Sequence, residues 1–230
     1  MPEIIFEDNH LLVAIKPPGV LSQAGELPLP DMLTLLKEYL KDKYQKPGNV
    51  FLGLIHRLDL NVGGVMVFAK TSKGAARLAE SIREGGFAKT YLAIAEGSFP
   101  DGDHGECEDY LVKDSRMLVA KPATPDEGKL ARLTYRVLAE AELDGHPCTL
   151  LEVNLETGRF HQIRAQFALR KHPLLNDAKY NARLKYPTEA IGLWAYRISF
   201  PHPITKEVMT FKVIPNNLLF SAFAQSTMNI

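Results

Sequence analysis

Asp59 is a lone carboxylate two positions after Arg57 and three after His56, and it is followed closely by the glycine pair Gly63-Gly64. A charged loop set between apolar segments is costly, because an unpaired buried charge costs several kcal/mol or shifts its pKa. Chains keep such loops for turn geometry or for chemistry. As a turn former, Asp59 would close the chain ahead of the apolar run that follows. As a reactive group, it can attack an electrophilic carbon and divide one difficult step into two. Such a carboxylate would work with two kinds of partner. A tyrosine can offer an aromatic face for stacking and a phenol oxygen for a proton, though an ordinary pKa near 10 needs local help. A buried cation can hold a desolvated carboxylate in its ionised form.

These side chains need elements to position them. Ile4 to Phe6 and Leu11 to Lys16 read as strands split by a polar turn, and Lys16-Pro17-Pro18-Gly19 ends the second rigidly. Asp31 predicts a helix cap, with Leu33, Leu36, Tyr39 and Leu40 on one face of a helix reaching about Lys43. Phe51 to Ile55 leads into the Asp59 loop, and Val65 to Ala69 leaves it as a buried strand. Thr71 or Ser72 predicts a second cap, with Ala75, Leu78, Ala79 and Ile82 facing inward and Gly85-Gly86 as the stop. Tyr91 falls on a strand from Lys89 to Ala95. Gly97 to Asp109 reads as a polar loop. Ala131 to Leu138 and Cys148 to Leu155 alternate as an antiparallel pair turning near Asp144-Gly145. A helix from about His161 to Arg170 places Arg164 about 100° from Ile163 and on the face of His161 and Ala168. Ile191 to Phe200 and Val208 to Ile214 complete the strands. Strands outnumber helices without βαβ alternation, which predicts an α+β fold on a mixed, mainly antiparallel sheet with flanking helices.

The chain has 230 residues, 46% of them apolar, enough for a substantial core. No linker or repeat interrupts it, so one domain over residues 1–230 is expected. Cys107 and Cys148 lie far apart without a metal-site pattern, which predicts reduced thiols and no metal. The start Met1-Pro2-Glu3 has no secretory pattern, and no apolar run approaches the roughly 18 residues of a membrane span. The expected location is the cytoplasm. Basic and acidic residues balance at 27 each, yet from Arg159 to Lys185 seven cations face one acid, Asp177, while Glu96 to Asp109 holds six acids and no Lys or Arg. The basic run suits a phosphate-rich ligand; an ordinary solvated face would look the same.

Together, four segments resemble the RluA-type pseudouridine synthases, which isomerise particular uridines in ribosomal or transfer RNA. They are Asp8 to Gly19; His56-Arg57-Leu58-Asp59 with Gly63-Gly64 and Val67 to Thr71; Lys89-Thr90-Tyr91-Leu92-Ala93; and Thr157-Gly158-Arg159-Phe160-His161-Gln162-Ile163-Arg164 continuing through His172 to Tyr180. Leu193-Trp194-Ala195-Tyr196 and Phe200-Pro201-His202-Pro203 are also similar. Three departures stand out: Asn61-Val62 in the turn after Asp59, Phe160 where threonine is usual, and Asn176 where glycine is usual. The resemblance implies a central active-site cleft with Asp59, Tyr91 and Arg164 as catalytic residues, Arg164 holding the charge of Asp59. It places Arg57 where the flipped base leaves a gap, and His56, Arg159, His161, Gln162 and Leu193 around the substrate, His56 as a structural hydrogen-bonder. It also implies RNA as partner, no cofactor, no separate N-terminal RNA-binding module, and no obligatory protein partner; a monomer is expected. Two other readings stay open. One is a non-catalytic RNA-binding protein on the same scaffold. The other is a glycoside or nucleoside hydrolase, which normally wants a second carboxylate that no motif here supplies.

Overall fold

A computed structural model describes residues 1–26, 28–99 and 102–228. In chain order its elements are β1 (Glu3–Glu7), β2 (Leu11–Lys16), α1 (Met32–Lys43), β3 (Gly53–Leu54), β4 (Gly63–Ala69), α2 (Ser72–Arg83), β5 (Ala88–Glu96) and β6 (His104–Asp114). There follow β7 (Val119–Pro122), β8 (Lys129–Leu143), β9 (His146–Leu155), α3 (Gln162–Leu169), β10 (Leu193–Pro201), β11 (Val208–Lys212) and α4 (Ala224–Met228). The fold is α+β, with mainly antiparallel ladders and flanking helices. None of the described helices is long and apolar enough to cross a membrane. The chain separates into two compact units: Met1–Lys89 with Ala195–Val213, and Thr90–Trp194 with the segment from Ile214 on.

In the first unit the strand order is β1-β2-β4-β10, with β11 on β10 and β3 on β4. The β1–β2 turn closes because Asp8 Oδ1 accepts the backbone N–H groups of His10 (2.7 Å) and Leu11 (2.6 Å). Leu11 to Ala14 of β2 and Val65 to Ala69 of β4 are fully buried, so both strands read as continuous apolar runs. Asp31 caps α1 through Thr34 N–H, and Met32, Leu36 and Leu40 form its buried stripe. Thr71, rather than Ser72, caps α2 through Gly74 N–H. Leu78 faces inward on α2 as expected, whereas Ala79 is exposed. Phe87 stacks on Phe200 with centroids 5.1 Å apart in a core shared with Val13, Val65 and Ile198.

The second unit runs β5-β9-β8-β6-β7. Asp144 and Gly145, at φ 48° and 76°, make the tight left-handed turn between β8 and β9. From His104 on, the stretch expected as a polar loop is β6. Its acids hid a period-two pattern: Cys107 and Leu111 point inward while Glu106 and Glu108 stay exposed, Glu108 pairing across the ladder with Arg132. The C-terminal segment also lacked a sequence signal. There Leu219, Phe220 and Phe223 are buried in a 3₁₀ turn.

Candidate active site

In the first unit the Asp59 loop is held by backbone bonds and two side chains. Ser22 Oγ donates to the Leu58 carbonyl (2.8 Å) and accepts the Leu58 N–H (3.0 Å). Lys16, fully buried, donates from Nζ to the carbonyls of Val20 (2.6 Å), Pro17 and Leu60 (both 3.1 Å). Burial pushes the Lys16 ammonium down to about 7, and the charge of Asp59 opposes that shift. Lys16 is therefore a titratable amine within electrostatic reach of Asp59 that the sequence hid inside an apparent turn. The turn itself closes between Val62 N–H and the Asp59 carbonyl (3.1 Å), leaving Asp59 half-buried and Val62 in the core.

Gly64 explains half of the glycine pair. Its φ is 128°, and a Cβ there would stand 2.3 Å from the Ala195 carbonyl oxygen, so only glycine lets β4 leave the loop against β10. His56 is buried and accepts the Val67 N–H at Nε2 (3.2 Å), which places it inside the fold as a backbone acceptor. Burial, then the charge of Lys89, holds its imidazole down at about 3. Arg57, next along, is exposed.

In the second unit Tyr91 is 7% exposed on β5, opposite Val153 of β9. Leu193 is buried at the start of β10, where Gly192 allows close packing against Ile94 and Leu175. Arg164 is also buried, and its fork meets a carboxylate that the local sequence pattern does not assign to it. Nε and Nη2 donate to the two oxygens of Asp177 at 2.7 and 2.8 Å. The guanidinium carbon lies 5.1 Å from the centre of the Tyr180 ring. Tyr180 is fixed in turn by the Ala120 N–H (2.7 Å) and by His161 Nδ1 (3.2 Å).

Helix α3 starts abruptly because His161 adopts φ 50° and offers no cap. The Gln162 side chain instead ties down the loop that precedes the helix. Its Oε1 accepts from Arg159 N–H and Thr157 Oγ1, and its Nε2 donates to the Arg132 carbonyl, so this 3%-exposed side chain is spent on the loop. Arg159 is exposed, with Nε on the Leu130 carbonyl (2.7 Å). Phe160 stacks on His161 at 3.8 Å, with Lys113 Nζ 4.9 Å from its ring centre.

The arrangement offers an anchored carboxylate on one loop, and a buried tyrosine and a clamped arginine on another set of elements. Residues 10–169 match the family model described as RNA pseudouridylate synthase. The chain belongs to the RluA-type pseudouridine synthases. A ribosomal large subunit pseudouridine synthase D from Vibrio parahaemolyticus is 30% identical over 94% of this chain and 68% of its own length. A dual-specificity RNA pseudouridine synthase RluA from Vibrio vulnificus is 30% identical over 87% of this chain and 78% of that protein. The fold matches the solved structure of human RNA pseudouridylate synthase domain containing 4, with TM-score 0.77, 22% identity, and coverage of 98% of this chain and 93% of that one.

As an RNA pseudouridine synthase, this enzyme isomerises uridine in RNA, and its departures from the family pattern have physical accounts. Asn176 has φ 63°, the left-handed conformation glycine takes freely and asparagine tolerates. Its amide offsets the strain by donating to the Thr188 and Ala190 carbonyls and accepting the Tyr186 N–H. Val62 fills core space. Phe160 leaves an aromatic surface 36% exposed. Asp177, which the motifs alone leave without a role, has one signal in the sequence, its sign: it is the only acid among seven cations.

Proposed function

We propose that this synthase acts on a structured ribosomal or transfer RNA, with Asp59 as nucleophile and Tyr91 and Arg164 as its catalytic partners. The isomerisation breaks the N1–C1′ bond, turns the detached uracil, and joins C5 to C1′, with the C5 proton passing to N1; it balances without oxidant or external energy. The aspartate forms the adduct that divides this rearrangement into two steps. Tyr91 stacks on the ring, an interaction worth roughly 1–3 kcal/mol, and Arg164 balances negative charge in a poorly solvated site. The target uridine leaves its stack to reach these groups, and Arg57, exposed beside the loop, contacts the RNA it leaves. The expected setting is the cytoplasm, with the chain acting as a monomer.

The observation that carries this reading is the investment in holding the Asp59 loop still: a buried lysine with three carbonyl acceptors and a buried serine bonding one residue twice. A mere surface turn needs neither. The test is carbodiimide-primer extension on RNA from a deletion strain. One reverse-transcription stop should be missing, restored by the wild-type gene and not by Asp59→Ala, while the purified variant melts as the wild type does. Restoration by Asp59→Ala would remove Asp59 from the chemistry. RNA binding with no isomerisation in any RNA would support the binding-protein reading, and release of free uracil the hydrolase.

A further inference from the structure

The basic run of the second unit is not a uniform phosphate-binding face. Arg164 is spent on Asp177, Arg170 on Asp109, and Arg159 on a backbone carbonyl. Lys171, Lys179 and Arg183 have no ion-pair partner among the described residues, and all three line one pocket of about 570 Å³. None of the residues assigned above to uridine chemistry or to the RNA around it lines this pocket.

The pocket combines that rim with an apolar side. Ala165 and Ala168 of α3 line it together with the Tyr180 side chain. One carboxylate, Glu96, also lines it, but its oxygens accept the backbone N–H groups of Arg183 (3.0 Å) and Leu184 (2.8 Å). Glu96 therefore shapes the chain beneath Arg183, each of its oxygens engaged by a backbone N–H. Lys121, another lining cation, is paired with Asp114. Lys171 stands just past the end of α3 at φ 65°, where glycine would cost about 1 kcal/mol less.

Three uncommitted cations over an apolar wall fit a phosphodiester-linked nucleotide. Phosphate oxygens take charge-assisted hydrogen bonds from the rim, and a base covers the apolar wall. The volume is in the range of nucleotide-sized ligand sites. We propose that this pocket binds a nucleotide of the substrate RNA other than the uridine that is isomerised, gripping the flanking strand. The proposal rests on the RNA reading above and adds a second point of attachment to it.

The test uses the full chain, in vitro transcripts of ribosomal and transfer RNA, and the triple variant K171E/K179E/R183E, all three positions being exposed. Reversing these charges should raise KM about tenfold or more while kcat at saturating RNA is kept. The slope of log affinity against log salt should become shallower by about 0.7 for each single-strand phosphate that the variant no longer neutralises. Transcripts containing 4-thiouridine should photocrosslink to the peptide holding Tyr180 in the wild type and not in the variant. If the triple variant melts early, K179E alone is read by salt slope. Unchanged KM and slope beside an active wild type overturn the pocket and leave the isomerase intact. If the wild type isomerises no transcript, the RNA-isomerase reading fails by itself, and the crosslink then decides the pocket: present, it stands; absent, it falls.

Discussion

Arg164 owes its orientation to Asp177. The two parallel bonds of 2.7 and 2.8 Å fix the guanidinium plane, and the side chains are 4% and 1% exposed, so neither end is solvated. Removing one partner of such a pair costs about 3–5 kcal/mol, most of it the penalty of a buried charge deprived of its counter-ion. Asp177→Asn keeps the shape and removes the charge. Urea denaturation should show a loss in that range, and kcat should fall further than KM rises, since the arginine loses its aim more than the enzyme loses RNA. Wild-type stability and turnover in this variant would show that Arg164 is held by something else. Local sequence makes Asp59 and Arg164 visible as reactive types, but the partner of Arg164 lies 13 positions away across a loop. Only the odd sign of Asp177 in a basic run points to it. Lys16 leaves no such trace, because its three acceptors are backbone carbonyls that only the folded chain gathers around it.

At the scale of elements, legibility follows the chemistry of the ends. Asp31, Thr71 and Gly85 mark helix limits because caps and left-handed stops are local events. β6 escapes a sequence reading because its solvent face is charged, and charge masks alternation. β4 shows a further device. Its Val67 N–H is taken by His56 Nε2, a side chain standing in for a strand carbonyl. That bond requires neutral imidazole, and burial with the charge of Lys89 keeps the folded-state pKa at about 3 against an ordinary 6.5. Between those values the unfolded chain binds a proton that the folded chain refuses. The stabilisation is therefore complete above pH 6.5 and declines as pH falls toward 3, by about 1.4 kcal/mol per pH unit. Glu7 adds nothing until lower pH. Burial would raise its carboxyl, but hydrogen bonds from Lys43, Lys70, Tyr44 and Tyr39 outweigh that and hold it at about 2, so its share fades only below about 4.5. Denaturant titrations from about pH 7 to 4.5 should show the decline in the wild type and a flatter profile in His56→Gln, which keeps an acceptor for Val67 without a titrating ring. Equal slopes would assign the acid sensitivity elsewhere.

Over the whole chain, sequence order and structural unit do not coincide. The first unit is built from residues 1–89 and then completed by 195–213, after the second unit's main stretch has intervened. The late segment supplies β10 next to β4, and with it Ile198 and Phe200 to the core that includes Val13, Val65 and Val67. This is the hardest feature to read from the sequence, since each strand looks complete and nothing local says which distant strand lies beside it. It has a consequence for folding. A sheet that pairs a strand near residue 65 with one near residue 198 must close a long loop before the contact is rewarded, which slows folding. It also means that residues 1–89 carry an apolar face with no cover of their own. A fragment ending at Lys89 exposes Phe87, which otherwise stacks on Phe200, and leaves one edge of β4 without β10. Exposed β edges of this kind pair with other chains. The isolated 1–89 fragment should therefore give collapsed NMR dispersion and concentration-dependent association, and adding a peptide spanning 195–213 should recover dispersed spectra. A monomeric 1–89 fragment with native-like dispersion would show that β10 and β11 decorate the first unit and do not complete it.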